Sequence, residues 1–210
     1  GAFGADTGSS LENLLMELSH LDGEFRLRVG MLNPMLVAGR SHEMAKAWGD
    51  SRTYKFIHLP IQSGSQKILD SMVRDHTVGE FWEVVNVFRD YYPEMMIITD
   101  IITGFPGETD EDHHKTISLL NELSPDLVNV TRFSPRKGTP ASRYKRINGR
   151  IVKKRSRELT ILRKELGAKS FRRFVGRKTS ILTVENQKRG STLCRDDNYR
   201  PIILMEELPL

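Results

Sequence analysis

Residues 95–112, MMIITDIITGFPGETDED, limit the possible folds more than any other stretch of the chain. Met95 to Ile98, with Ile101 and Ile102, form a near-continuous apolar run rich in β-branched residues. That is the pattern of a strand covered on both faces, and such strands belong to parallel sheets. Gly104 and Gly107 permit backbone angles or close approaches that a Cβ forbids, and Pro106 stiffens the turn. Thr109, followed by Asp110, Glu111 and Asp112, supplies an N-cap and an acidic first turn for a helix to about Leu123. In parallel α/β folds the loop after a strand is where sites are built. A loop that only turns a corner has the same Gly and Pro content, so this pattern alone leaves both readings open.

The same order recurs along the chain. Ser9 and Glu12 read as a capping box before the leucine-periodic LENLLMELSHL. EFRLRVGMLNP (24–34) reads as a strand ending in an Asn-Pro loop, with a helix following near Val37 to Trp48. YKFIHLPIQSGS (54–65) reads as a strand entering a polar loop and then the short helix QKILDSM, and Thr77 with Glu80 caps TVGEFWEVVNVFRDYY. DLVNVTRFSPRKGTPAS (126–142) again gives strand, Pro, basic pair, Gly and Pro. About four strands alternating with helices predict a parallel sheet with crossover connections, in a barrel or a doubly wound arrangement. A long helix is expected from about Arg150 to Val175, with Ile151, Leu159, Leu162, Leu166 and Phe174 as its apolar stripe. The period then changes: RKTSILTVENQ and YRPIILMEE read as β-strands around a turn-rich KRGSTLCRDDN. The expected division is an α/β body over 1–148, a basic helix over 149–175 and a β module over 176–210. So short a module hardly builds a core of its own, and it reads as the start of a small barrel cut at its C-terminus.

Composition excludes several classes. No apolar run is long enough to cross a bilayer, and no signal-peptide pattern opens the chain. A single cysteine, Cys194, excludes internal disulfides and suits a reducing, cytoplasmic compartment. It also excludes a cysteine-built metal or iron–sulfur site within these residues, and the six histidines show no ligand spacing such as HExxH. The net charge of +5 hides an asymmetry: residues 136–178 hold 17 Lys and Arg against two acids, leaving 15 bases against 25 acids elsewhere. A basic segment beside an acidic body is the footprint of a polyanion partner, although solvated helix faces are often basic as well.

Three motifs, HLPIQSGSQKILDSMVRDHT (58–77), TDIITGFPGETDED (99–112) and FSPRKGTPAS (133–142), resemble in order and spacing the radical S-adenosylmethionine methylthiotransferases. DTGSS and RLRVGMLNP are most similar to the archaeal and eukaryotic branch, which modifies threonylcarbamoyladenosine beside the tRNA anticodon. GRKTSILTVENQ and TLCRDDNYRPIIL resemble the opening strands of the RNA-binding TRAM domain, which is OB-like. The resemblance implies a partial TIM-like (β/α) barrel of radical SAM type followed by an incomplete small β-barrel. It implies S-adenosylmethionine and two [4Fe–4S] clusters as cofactors of the parent enzyme, with tRNA as substrate and an unknown sulfur donor. The family's CxxxCxxC loop is missing from these residues, so the chain is expected to be an inactive fragment with no firmly bound cofactor. No specific catalytic residue and no metal ligand is assigned. Open barrel edges are compatible with a homodimer.

By the same resemblance Arg28, Gln62, Ser63, Asp100, Thr103 and Phe133 are expected at the barrel mouth against S-adenosylmethionine. Arg28 suits a carboxylate and Asp100 suits ribose hydroxyls. The bland alternatives are an Arg28 paired inside the barrel, an Asp100 capping its own loop, Gln62 and Ser63 holding only backbone, and a Phe133 that packs. RNA contacts are expected from Lys153, Lys154 and Arg157 on the basic helix, and from Lys178, Arg195, Asn198, Tyr199 and Arg200 in the module, where cations surround an aromatic face. Two other classes compete: a noncatalytic RNA-binding or assembly protein, and an aldolase-like barrel with a Schiff-base lysine. Lys55 and Lys137 do not sit at strand ends as the latter needs.

Overall fold

The computed structural model describes residues 3–4, 6–187 and 190–209. Lys188 and Arg189, in the stretch read as turn-rich, lie outside the described residues. Three parallel strands form the body's sheet in the order β1 (Phe56–His58), β2 (Met96–Thr103), β3 (Leu127–Arg132). The segment expected as a fourth strand, 24–34, is a frayed edge instead. It touches β1 and the residues before it through isolated parallel bridges, Leu27 with Thr53 and Met31 with His58.

The helices are α1 (Leu11–Ser19), α2 (Pro34–Val37), α3 (Ser41–Ala47), α4 (Gln66–Ser71), α5 (Val78–Tyr91), α6 (Asp110–Leu123) and α7 (Gly149–Arg172). Capping boxes open α5 at Thr77 with Glu80 and α6 at Thr109 with Asp112, so the side-chain oxygens satisfy amides that the first turn leaves orphaned. Two expected starts moved. Ser10, not Ser9, caps α1 by accepting from the Asn13 amide, and the helix expected from Val37 to Trp48 is two pieces, divided at Gly39, whose φ of +78° an α-helix cannot hold.

The strand alternation decides between the two arrangements that the sequence left open. Ile57, Ile97, Ile101 and Val128 share one core with Met44, Phe81, Val84, Val85, Phe88, Leu119, Leu120, Leu123, Leu159 and Leu166, so α3, α5, α6 and α7 all lie on the same side of the sheet. Burial of each such side chain stabilises by roughly 1.5–3 kcal/mol. Phe56 and Met96 point the other way and form a separate small cluster with Tyr54, flanked by Ile98 and Tyr199. A doubly wound sheet carries helices on both faces; this sheet carries them on one, as a barrel wall does.

The β module is an antiparallel meander, β4 (Ile181–Gln187), β5 (Ser191–Asp196) and β6 (Pro201–Leu204). The stretch expected to be turn-rich therefore contains a strand, and Tyr199, expected to begin one, lies in the turn at φ +63°. Residues 191–196 alternate well enough to be a strand, but Gly190 and Asp-Asp-Asn on either side disguised them.

Candidate functional site

At the C-terminal end of β2 the loop read as the main sequence signal is a packing device. The Glu108 carboxylate accepts from the Gly104 amide at 3.0 Å and from Arg155 of α7 at 2.7 Å, and both charged side chains are buried. Gly104 sits at φ +78°, and a Cβ on it would lie 2.6 Å from Val152, so glycine here serves both the backbone angle and the close approach of α7. The preceding QSGS loop is bolted to α6. Gly64 packs where a Cβ would meet the Lys115 carbonyl and Thr116 at 2.6 Å, and Asp112 accepts from Ser65 at 2.7 Å, Lys67 at 2.9 Å and Thr109. Burial raises the Asp112 pKa, but these hydrogen bonds outweigh it and hold the carboxyl far below the usual aspartate value.

The face of the sheet opposite the helices carries a polar ladder across all three strands. Asp100 Oδ1 accepts from Asn129 Nδ2 at 2.8 Å and lies 3.0 Å from His58 Nε2. Burial pushes the Asp100 carboxyl up, and the bonds from His58 and Asn129 pull it back below its ordinary value, so it is ionised at neutral pH. Beside the ladder, where the 24–34 edge meets β1, a cavity of about 270 Å³ opens, lined by Met31, Leu32, Asn33, Pro34, Pro60, Gln62, Arg74 and His76.

The residues expected at the mouth separate into four groups. Asp100 stands on the open face and Gln62 lines the cavity. Arg28 lies on the same side as Asp100 but toward the strand starts, with its guanidinium 5.2 Å from the Phe56 ring centroid and 4.9 Å from that of Tyr199. Ser63 and Thr103 are buried on the helix side: Ser63 accepts from the Ser65 amide and sits 3.5 Å from Thr116. Phe133 packs edge-on against Phe105 at 4.9 Å. His58, Asn129 and Arg74 were missed. The first two share the parity of Asp100 only once the strand register is known, and Arg74 carried no local signal. Lys55, weighed as a Schiff-base candidate, is pushed down in pKa by burial, but its ammonium donates to the carbonyls of Trp48, Asp50 and Thr53 at the opposite end of β1.

Tyr199, Asn198 and Arg200 of the module are engaged with the body, and Arg195 lies against Tyr199. Tyr199 stacks on Phe56 at 4.9 Å and meets Tyr54 edge-on at 5.0 Å, with Arg195 4.3 Å from its ring. Arg200 is buried, pairs with Asp196 at 2.7 Å, donates to the Glu94 carbonyl at 2.7 Å and lies over Phe174. Asn198, with its amide nitrogen turned toward the body, donates to the carbonyls of Glu94 and Lys55 and accepts from Arg200. The residues read as an RNA platform thus close the lower end of the sheet's open face. A ring flanked by arginines stacks equally well on a base or on a neighbouring ring. Lys178 remains exposed, as do Lys153, Lys154 and Arg157 on the outer face of α7. Part of the basic excess is neutralised internally through Arg155 with Glu108 and Asp110, and Arg173 with Asp126.

The Radical SAM superfamily model matches residues 4–120. The chain belongs to the radical SAM superfamily. Within this superfamily it is 45% identical, over 97% of its length, to a probable threonylcarbamoyladenosine tRNA methylthiotransferase of Archaeoglobus fulgidus, covering 48% of that protein. It is 43% identical, over 98% of its length, to a protein of the same description from Pyrococcus horikoshii, again covering 48%. It is 38% identical, over 76% of its length, to the threonylcarbamoyladenosine tRNA methylthiotransferase of Homo sapiens, covering 28% of it. The chain thus spans about half, or less, of the curated relatives it matches. Among solved structures the radical SAM coproporphyrinogen III oxidase of Escherichia coli aligns with a TM-score of 0.57 at 16% identity, over 75% of this chain and 36% of that one. This likeness supports the barrel-wall fold.

Cluster ligands are a separate matter. Cys194 is the single cysteine and is buried in β5, and among the described residues no group of three His, Cys, Asp or Glu side chains is placed to hold a metal. These residues do not fit an iron–sulfur cluster, and no step is assigned through one. The ionised Asp100 with Asn129 and His58 does fit the hydroxyls and amines of a nucleoside.

Proposed function

We propose that the chain forms part of a tRNA methylthiotransferase acting on threonylcarbamoyladenosine. In this reading the body is one section of the radical SAM barrel wall, and the module is the start of a TRAM domain. Similarity to proteins of that description runs through both units, over 97% of the chain, and this carries the reading. Radical SAM chemistry, supplied by S-adenosylmethionine and clusters held by cysteines outside these residues, would place the methylthio group on the base.

The residues present bind and orient. Asp100, fixed by His58 and Asn129, accepts from ribose hydroxyls of S-adenosylmethionine on the open face, and Gln62 donates from the neighbouring strand end. Lys153, Lys154, Arg157 and Lys178 face solvent and meet tRNA phosphates, while Arg195, Asn198, Tyr199 and Arg200 hold the module in place so that body and module meet one RNA together. The test is to incubate the protein encoded by the complete reading frame with S-adenosylmethionine, a reductant, a sulfide source and an anticodon stem-loop carrying threonylcarbamoyladenosine. Mass spectrometry of the digested RNA should show the methylthio derivative. A preparation that cleaves S-adenosylmethionine yet leaves this nucleoside unchanged contradicts the assignment.

A further inference from the structure

The loop joining β3 to α7, residues 133–148, contains the motif FSPRKGTPAS and carries Arg136, Lys137, Arg143, Lys145 and Arg146. It holds no carboxylate, and the chain has none between Asp126 and Glu158. All five cations are exposed, and their side chains make no hydrogen bond or ion pair among the described residues. Arg155 and Arg173 of the same basic segment are by contrast neutralised by Glu108, Asp110 and Asp126. Unpaired like charges at this density repel one another and attract an anionic partner.

Short-range bonds give this loop a shape. Thr139 Oγ1 donates to the Arg136 carbonyl at 2.8 Å, Ser142 Oγ donates to the Thr139 carbonyl at 2.6 Å, and a single 3-10 turn runs over Pro140–Arg143. At its base the Phe133 amide donates to the Thr103 carbonyl at 2.9 Å. The loop therefore rises from the C-terminal ends of β2 and β3, the end at which the sites of such barrels are built. Tyr144 stands between Arg143 and Lys145 and is 45% exposed, so ring surface stays open to solvent. Phe105, itself packed on Phe133, meets this ring edge-on at 6.5 Å and steadies it. Beside the ring lies a cavity of about 380 Å³ lined by Gly138, Thr139, Pro140, Ser142, Arg143 and Tyr144.

We propose that this loop binds an unpaired nucleotide of an RNA, with the Tyr144 ring stacked on the base and Arg143, Lys145 and Arg146 on the flanking phosphates. Cations alone suffice for an acidic peptide or an anionic membrane. An open ring set between cations matches a ligand that alternates phosphates with flat bases. The inference rests on the tRNA methylthiotransferase reading above and deepens it: the single-stranded loop of the RNA is gripped at the barrel mouth, by residues distinct from the outer face of α7 and from the module.

Fluorescence anisotropy on the complete protein tests this with two labelled RNAs, an anticodon stem-loop and a blunt duplex of the same length. Tyr144→Ala should weaken stem-loop binding by on the order of tenfold while leaving duplex affinity and the salt slope unchanged. Tyr144→Phe, which keeps the ring, should bind as wild type does. Reversing Arg143, Lys145 and Arg146 to Glu should weaken both RNAs and flatten the salt dependence, because fewer counterions are released. These three side chains make no polar contact in the fold, so the reversed variant should melt as wild type does and decides the question even if Tyr144→Ala loses stability at Phe105. Wild-type affinity for the stem-loop in the variants overturns the proposal, as does an equal loss on stem-loop and duplex in Tyr144→Ala, or a wild type that binds neither RNA. A polyglutamate peptide that competes as well as the stem-loop would assign the surface to an acidic protein and overturn it too. Stem-loop binding that Tyr144→Ala weakens, in a protein that leaves threonylcarbamoyladenosine unmodified on turnover, contradicts the broader reading and supports this one.

Discussion

Asp112 shows how a motif residue that reads as functional serves the fold. One carboxylate caps α6, receives Ser65 and Lys67, and so ties the QSGS loop to the helix after β2. Asp112→Asn should lower stability by about 2 kcal/mol, measurable by urea denaturation, because buried donors lose a charged acceptor. The folded pKa is depressed, so the contribution is complete above the ordinary aspartate value of 3.8 and drains away as pH falls below it. The difference between wild type and variant should therefore shrink in acid. Tyr199 is the opposite case, legible as an aromatic among cations but not as to what it stacks on. Tyr199→Ala should cost about 2 kcal/mol through lost packing on Phe56 and Tyr54. His58 and Asn129 were invisible in the sequence for a simpler reason: their meeting at Asp100 depends on strand pairing, which no local pattern specifies.

Among the elements, those with a strong period and a cap were readable, as α5 and α6 with their Thr caps show. Elements fixed by tertiary contact were not. The 24–34 segment has strand composition but only isolated bridges, and β5 was hidden by the turn residues around it. α7 combines two roles that the sequence could not separate. Its inner face carries Leu159 and Leu166 together with Arg155, which is buried against Glu108. Arg155→Ala should destabilise the body by roughly 3–5 kcal/mol, since it leaves the buried Glu108 side chain without its ion-pair partner. The outer face carries Lys153, Lys154 and Arg157, and reversing all three should leave the melting temperature nearly unchanged. It should weaken tRNA binding and flatten its dependence on salt, because fewer counterions are released. Equal affinity of wild type and the triple variant at low salt would assign RNA contact elsewhere.

For the molecule as a whole, helices on one side of a parallel sheet leave the other side to be covered. At the strand starts the turn 196–200 covers it, with Tyr199 and Arg28 over Phe56 and Met96; further up, His58, Asp100 and Asn129 remain accessible. The family resemblance was legible in three motifs, whereas the docking of module onto body was not, because the contacts join residues more than a hundred positions apart, such as Arg200 and Glu94. Under the proposed function, the protein containing this chain adds a methylthio group to threonylcarbamoyladenosine in tRNA. The most direct measurement is nucleoside mass spectrometry of total tRNA from cells with and without the gene. Loss of the methylthio derivative, with threonylcarbamoyladenosine accumulating in its place and restoration by the wild-type gene, is the predicted result; an unchanged nucleoside profile in the deletion strain would contradict it.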